Sequence, residues 1–194
     1  MSKLLETIKI INGIAPFLTF HQQRLNESRQ QLFQTNDEID LGTIIQAPST
    51  EQIYRCRVIY GQTIEKVEYL PYKIKKFNCF KVIAANALVY EFKYLDRTQI
   101  NQLIASKGAA DEILIIKNGL VTDTSIANVA FWRQNQWLTP ATPLLKGTTR
   151  QRWLSTGRIE EAEIKLTDLN TFTKMALMNA LMDFTILENF NLLF

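Results

Sequence analysis

Between Glu112 and Thr139 the chain has little freedom, and this stretch constrains the fold most. Glu112-Ile113-Leu114-Ile115-Ile116 is an almost unbroken apolar run of strand length, which predicts a strand buried on both faces. Asn118-Gly119 follows it directly, the residue pair that accepts positive φ at both centres of a two-residue hairpin. Leu120-Val121-Thr122 then forms the returning strand. Asn128 to Trp132 and Gln136 to Thr139 make a second hairpin. A buried strand that turns straight back commits this half of the chain to a sheet with both faces covered.

The remaining elements are read around that sheet. Leu4 to Ile11 is a strand and Asn12-Gly13 a turn. Thr19 with Gln22 has capping-box spacing and predicts a helix start, with Leu25, Arg29, Leu32 and Phe33 along one face. From Asp37 to Leu70 the chain reads as strands and loops: Ile44-Ile45, then Tyr54 to Ile59, then Thr63 to Leu70. Arg55 and Arg57 alternate onto one face. Asp96 with Gln99 predicts a second helix, closed near Gly108, and Gly147 and Gly157 bracket a third. Thr171 to Leu181 reads as helical, then extended. The change of period near Lys93 puts a boundary between lobes 1–90 and 91–194. The expected class is α/β (α+β).

Several chemistries are excluded by what the sequence lacks. A net charge of +3 without a basic run gives no track for a nucleic-acid backbone. Cys56 and Cys79 form no C-x-x-C pair, so no metal site is expected. No apolar run is long enough for a signal peptide or a membrane span, and the reading is a cytoplasmic protein with no membrane partner. His21 is the sole histidine and sits on a polar helix start, where a surface or half-buried structural role is expected. No G-x-S-x-G elbow, P-loop or dinucleotide fingerprint is present. Lys146-Gly147-Thr148-Thr149-Arg150 opens a helix with glycine, two hydroxyls and free amides. That is either an anion site or an ordinary capped helix.

Five stretches, in order, decide between those two. They are His21-Gln22-Gln23-Arg24-Leu25; Phe92-Lys93-Tyr94-Leu95-Asp96-Arg97; Lys117 to Phe131, containing Asp123-Thr124-Ser125-Ile126-Ala127-Asn128; Leu145 to Arg150; and Met178-Asn179-Ala180-Leu181. Together they resemble the class IV aminotransferase family, and most closely its aminodeoxychorismate lyase branch. The resemblance implies the fold-type IV architecture. That is a small N-terminal α/β lobe and a larger C-terminal lobe with a barrel-like sheet, the cofactor lying in the cleft between them. It also implies pyridoxal 5′-phosphate (PLP) as cofactor and a homodimer.

The same resemblance distributes roles. Lys93 matches the lysine that carries PLP covalently and acts as the catalytic base. Arg24, Thr148, Thr149, Asn179 and Ala180 match the positions that hold the phosphate, and Asn128 belongs to the same cofactor-binding set. Asp123 stands where the family has glutamate, facing the pyridine nitrogen, one methylene short. Arg97, Arg55 and Arg57 are candidates for substrate carboxylates, a solvated strand face being the plainer reading of the last two. Family members carry a further strand pair and a glycine-rich segment before the stretch matching Leu4-Leu5-Glu6-Thr7, so a pocket open on that side is expected. The substrate is expected to be a small anionic amine. The leading activity is release of 4-aminobenzoate and pyruvate from aminodeoxychorismate. The alternatives are an amino-acid aminotransferase of the D-amino acid or branched-chain type, and a PLP-binding protein with little activity.

Overall fold

The computed structural model describes residues 2–48 and 51–194. Met1 lies outside them, as do Ser49 and Thr50 within the stretch expected to hold strands and loops. The contacts divide the chain into two compact units. One comprises the chain up to Ile74 together with Phe92–Asp96; the other comprises Lys75–Glu91 and Arg97–Phe194. The division does not run between residues 90 and 91. A strand at Cys79–Ala84, for which the sequence reading had no element, pairs with the buried run Glu112–Lys117, while Tyr94 bridges back to Leu4.

The first unit is a three-stranded antiparallel sheet with a helix on one face. Its strands are β1 (Leu4–Ile10), β2 (Tyr54–Tyr60) and β3 (Ile64–Pro71), in that order, and the helix is α1 (Leu18–Phe33). Strand alternation sends Leu4, Ile8 and Ile10 of β1 and Cys56, Val58 and Tyr60 of β2 into one core with Leu25 of α1. The Asn12-Gly13 turn is present, both residues at positive φ (51° and 73°).

Two helix starts differ from expectation. The helix α1 begins at Leu18 with Phe17 at its cap in a left-handed conformation and no side-chain cap. Gln22 does not close a capping box. Its amide instead grips the chain beyond the helix, donating to the Ile39 carbonyl and accepting from the Leu41 amide at 2.7 Å. The inward face of α1 is His21, Leu25, Ser28 and Arg29, with Leu32 exposed. Ile44 is not in a strand: Leu41–Ile44 is a single helical turn, α2, because the Asp40 carboxylate caps it by accepting from Gly42 N at 2.7 Å.

The second unit is built on nine strands: β4 (Cys79–Ala84), β5 (Glu112–Lys117), β6 (Leu120–Thr124), β7 (Asn128–Arg133), β8 (Gln136–Pro140), β9 (Glu160–Ala162), β10 (Lys174–Asn179), β11 (Asp183–Leu187) and β12 (Asn191–Leu193). The main path runs β11-β10-β7-β6-β5-β4-β12, and β8 branches off β7 to carry β9. The helix α3 (Thr98–Ala105) starts two residues after Asp96, with Arg97 at its cap. Both two-residue turns have positive φ at both residues: Asn118 and Gly119 at 53° and 79°, Gln134 and Asn135 at 52° and 61°.

The segment Thr171 to Leu181 is not helical. After a 3-10 turn at Leu166–Thr171 it becomes β10, an inner strand between β7 and β11. Met175, Ala176, Leu177 and Met178 are all buried, so the run carries no alternation by which a strand could be told from a buried helix. Val129, Phe131, Met175 and Leu177 point to one core, while Ala130, Ala176 and Met178 point to the other, against Trp153 and Leu154. Those two tryptophan and leucine side chains belong to α4 (Thr148–Ser155). The small side chains of Ala130 and Ala176 leave room for α4 to lie close to the sheet, which brings its first turn to Asn128. No helix among the described residues is long and apolar enough to cross a membrane.

Candidate functional site

In the second unit the site is built on one residue pair. Asp123, next to last in β6, lies opposite Asn128, the register pair joining β6 to β7. Opposed residues of an antiparallel pair share a face, and the Asn128 amide donates to Asp123 Oδ1 at 2.7 Å. The other Asp123 oxygen accepts from Leu145 N at 2.9 Å. Asn128 also donates to the Leu145 carbonyl at 2.8 Å, which ties the approach to α4 to the same pair. Asp123 is buried and, among the described residues, forms no ion pair. Burial outweighs the donors and pushes its carboxyl up to about 7.

Gly147 caps α4 against this cluster with ordinary φ of −72°, so its need for glycine is steric. A Cβ there would stand 2.0 Å from Asn128 Oδ1. Gly147→Ala must therefore displace the amide that holds Asp123. We expect it to cost about 1–3 kcal/mol in denaturant unfolding, and a variant as stable as the parent would show that Asn128 has room to turn away. Thr148, Thr149 and Arg150 follow in the first turn, all buried. Arg150 is committed to the Pro140 carbonyl at 2.8 Å and to Glu161 at 2.6 Å.

The loop from Thr124 to Ala127, between Asp123 and Asn128, is pinned from three sides. Thr124 Oγ1 accepts from Ala127 N at 2.9 Å. Arg97 donates to the Ser125 carbonyl. Asn179 donates to the Ile126 carbonyl at 3.2 Å, while its Oδ1 accepts from Leu181 N and Met182 N at 3.0 and 2.9 Å. Arg97 and Asn179, expected at substrate and phosphate, thus have backbone-holding duties around Asp123, and Ala180 sits in the turn that Asn179 closes. The Ser125 hydroxyl is buried with no hydrogen-bond partner among the described residues.

The first unit holds Lys93, Arg24, Arg55 and Arg57. Lys93 is half-buried, and its carbonyl accepts from Leu5 N at 2.9 Å beside the Leu4–Tyr94 bridge. Arg24 makes a two-pronged contact with Glu6, Nε to Oε1 at 2.8 Å and NH2 to Oε2 at 2.6 Å. His21 Nδ1 lies 2.6 Å from Glu6 Oε2. His21 is not at the surface: it is 3% exposed and Glu6 is 0% exposed. Its pKa is lowered by burial, and the charge of Lys93 reaches it. Arg55 and Arg57 are on the other face of β2, Arg57 paired with Glu68 at 2.8 Å and Arg55 with a buried Nε that has no hydrogen-bond partner among the described residues.

Glu6 was not picked out by the sequence reading and His21 was given only a structural role, although two signals pointed to them. A carboxylate alternates with Leu4 and Ile8 on an apolar strand face, and three-residue spacing puts His21 and Arg24 side by side on a helix.

The second unit offers donors suited to a phosphorylated heterocycle. Among the described residues Asp123 is a buried carboxylate with no ion pair, the Ser125 hydroxyl two residues on is unsatisfied, and Gly147 to Thr149 present helix-terminal amides and hydroxyls suited to phosphate. The first unit, taken by itself, holds the Arg24 guanidinium and the Lys93 amine. The residues fit PLP.

Comparison with known proteins agrees with this chemistry. Residues 3–189 match the class IV amino-transferase family. An uncharacterized protein of Haemophilus influenzae is 37% identical over 185 residues, 93% of this chain and 98% of its own. The crystal structure of a "putative 4-amino-4-deoxychorismate lyase" from Haemophilus somnus 129PT is 36% identical, with a TM-score of 0.88, across 93% of this chain and 97% of that one. Alike in fold at 18% identity is a hypothetical aminotransferase from Mycobacterium tuberculosis, solved in a PLP-bound form. Its TM-score is 0.79, across 97% of this chain and 81% of that one.

Proposed function

The chain belongs to the class IV aminotransferase family, and from that premise we propose that it is a PLP-dependent lyase that releases 4-aminobenzoate and pyruvate from aminodeoxychorismate. PLP is the cofactor the family implies, and when bound it supplies an electron sink for a substrate carbanion. The observation that carries the lyase reading is the likeness, over nearly the full length of both chains, to the Haemophilus somnus protein of that printed name.

Each residue then has a task. Lys93 Nζ holds the cofactor covalently between turnovers and takes the proton from the amine-bearing carbon of the substrate. Asp123 keeps a proton on the pyridine nitrogen, and Asn128 with Leu145 N keeps that carboxylate turned towards its work. The substitution of Asp for the family's Glu shortens the reach by one methylene, which β6 must make up by position. Arg24, Thr148 and Thr149 bind the phosphate, with Asn179 and Ala180 shaping the turn beside it. Arg97 holds the Ser125 carbonyl and so fixes the loop leading from Asp123 to Asn128. Arg55, whose buried Nε has no hydrogen-bond partner among the described residues, is the one of the three arginines assigned to a substrate carboxylate. Arg57 is already neutralised by Glu68.

A lyase and a transaminase differ in what they consume. A lyase needs one substrate and no acceptor, whereas a transaminase must take a keto acid in a second half-reaction. Protein supplied with PLP and aminodeoxychorismate is expected to release 4-aminobenzoate and pyruvate with no keto acid added, read by fluorescence and by a coupled pyruvate assay. Accumulation of pyridoxamine phosphate with D- or branched-chain amino acids, and no aminobenzoate, would replace the lyase by an aminotransferase.

A further inference from the structure

We propose that Glu6 and His21 are positioning residues that aim Arg24 at the phosphate of the cofactor. This rests on the PLP reading above.

A buried carboxylate is an odd choice for β1. Leu4, Ile8 and Ile10 on the same face are all fully buried in an apolar core, and an apolar residue at position 6 would avoid the desolvation that a carboxylate must overcome there. Glu6 is tolerated because it is saturated: Oε1 accepts from Arg24 Nε, and Oε2 accepts from Arg24 NH2 and from His21 Nδ1. An ionised carboxylate only accepts, so its contact assigns the His21 proton to Nδ1. The two-pronged contact sets the plane of the guanidinium, and the His21 contact sets the carboxylate that it meets.

The arrangement uses one edge of Arg24 and turns the remainder of its planar fork away from Glu6. Arg24 is nearly buried, at 12% exposed. Glu6 is opposed by Arg24, and the Lys93 charge also reaches His21. Tyr60, also within reach of Glu6 and Arg24, is held neutral by burial. A merely structural ion pair does not need the third contact, from His21.

His21 is the only histidine in the chain, so ring-¹⁵N-histidine labelling of the full chain reports on this cluster alone. The expected spectrum is that of a neutral ring protonated on Nδ1. Inorganic phosphate, which cannot join Lys93, is expected to move these resonances saturably, as is PLP. Arg24→Ala should abolish the response to phosphate. Glu6→Gln should weaken PLP binding about tenfold or more, the usual effect of losing a charge-assisted contact, and Glu6→Asp should restore part of it. Should Glu6→Gln fail to fold, the His21 pair decides: His21→Phe removes the donor and should weaken PLP binding severalfold, while His21→Gln returns an N–H donor and should recover it.

Three outcomes overturn the proposal: resonances unmoved by phosphate while PLP binds, a phosphate response surviving Arg24→Ala, or folded variants less stable than the parent with unchanged PLP affinity. A chain that takes up no PLP, yet whose His21 responds to phosphate through Arg24, would keep the aimed arginine and discard the cofactor reading.

Discussion

Lys93→Ala is expected to abolish the near-visible absorption that PLP acquires on joining a protein lysine, and to lower turnover by about 10³-fold or more, the scale on which a lost general base is felt. Alanine keeps what the Lys93 backbone gives the fold, the hydrogen bond from Leu5 N and the neighbouring Leu4–Tyr94 bridge. The variant should thus fold and retain phosphate contacts while losing its amine. Borohydride reduction of the PLP-loaded parent followed by peptide mass analysis should find the adduct on Lys93 alone. Near-visible absorption persisting in Lys93→Ala, or an adduct on another lysine, would move the catalytic amine elsewhere.

How much of this was legible in the sequence depended on which physical signal each element carried. Turns were plain, because Asn12-Gly13 and Asn118-Gly119 take positive φ at a cost few other residue pairs could meet. The buried strand at Glu112–Lys117 was plain for the same local reason: its apolar run is too short for a helix and is bounded by turns. Thr171 to Leu181 was opaque, since burial of Met175 to Met178 on both faces erases the period on which helix and strand are told apart. Gln22 misled because an amide that could cap its own helix instead bonds residues 39 and 41, a contact set by tertiary structure.

At the candidate site, resemblance gave residue names and geometry gave partners. Arg97 and Asn179 are polar residues in matching positions, yet only coordinates reveal that both hold the loop between Asp123 and Asn128. Glu6 was readable in principle as a charge on an apolar face, but its meaning depended on which side chain met it.

Asp123→Asn should retain PLP on Lys93 and slow turnover by about 10²-fold or more. Asparagine fills the same space but cannot balance a proton on the pyridine nitrogen, so the carbanion step loses its sink while the covalent attachment, made by Lys93, does not depend on it. The substitution has a second signature that needs no cofactor. Burial raises the Asp123 carboxyl from 3.8 to about 7, so the folded chain binds its proton more tightly than the unfolded chain does. That contribution to stability is complete below about pH 4 and is lost as pH rises through about 7. Glu6 acts with opposite sign in another window. Its carboxyl is held down at about 2 because Arg24 and His21 overcome burial, so its contribution is present above about pH 4.5 and lost as pH falls through about 2. His21, whose pKa burial lowers, loses stability as pH falls below about 6.5 and so offsets the Asp123 decline in the parent. The Asp123 part is read by difference in denaturant unfolding: between about pH 4 and 7 the PLP-free parent should lose stability relative to Asp123→Asn, with the acid limb of Glu6 present in both. Loading the parent with PLP should shrink that difference, because a protonated ring nitrogen would give the buried carboxylate a cationic partner. A difference that stays constant over that range, or an Asp123→Asn enzyme that turns over at the parent's rate, would remove Asp123 from the role of ring partner.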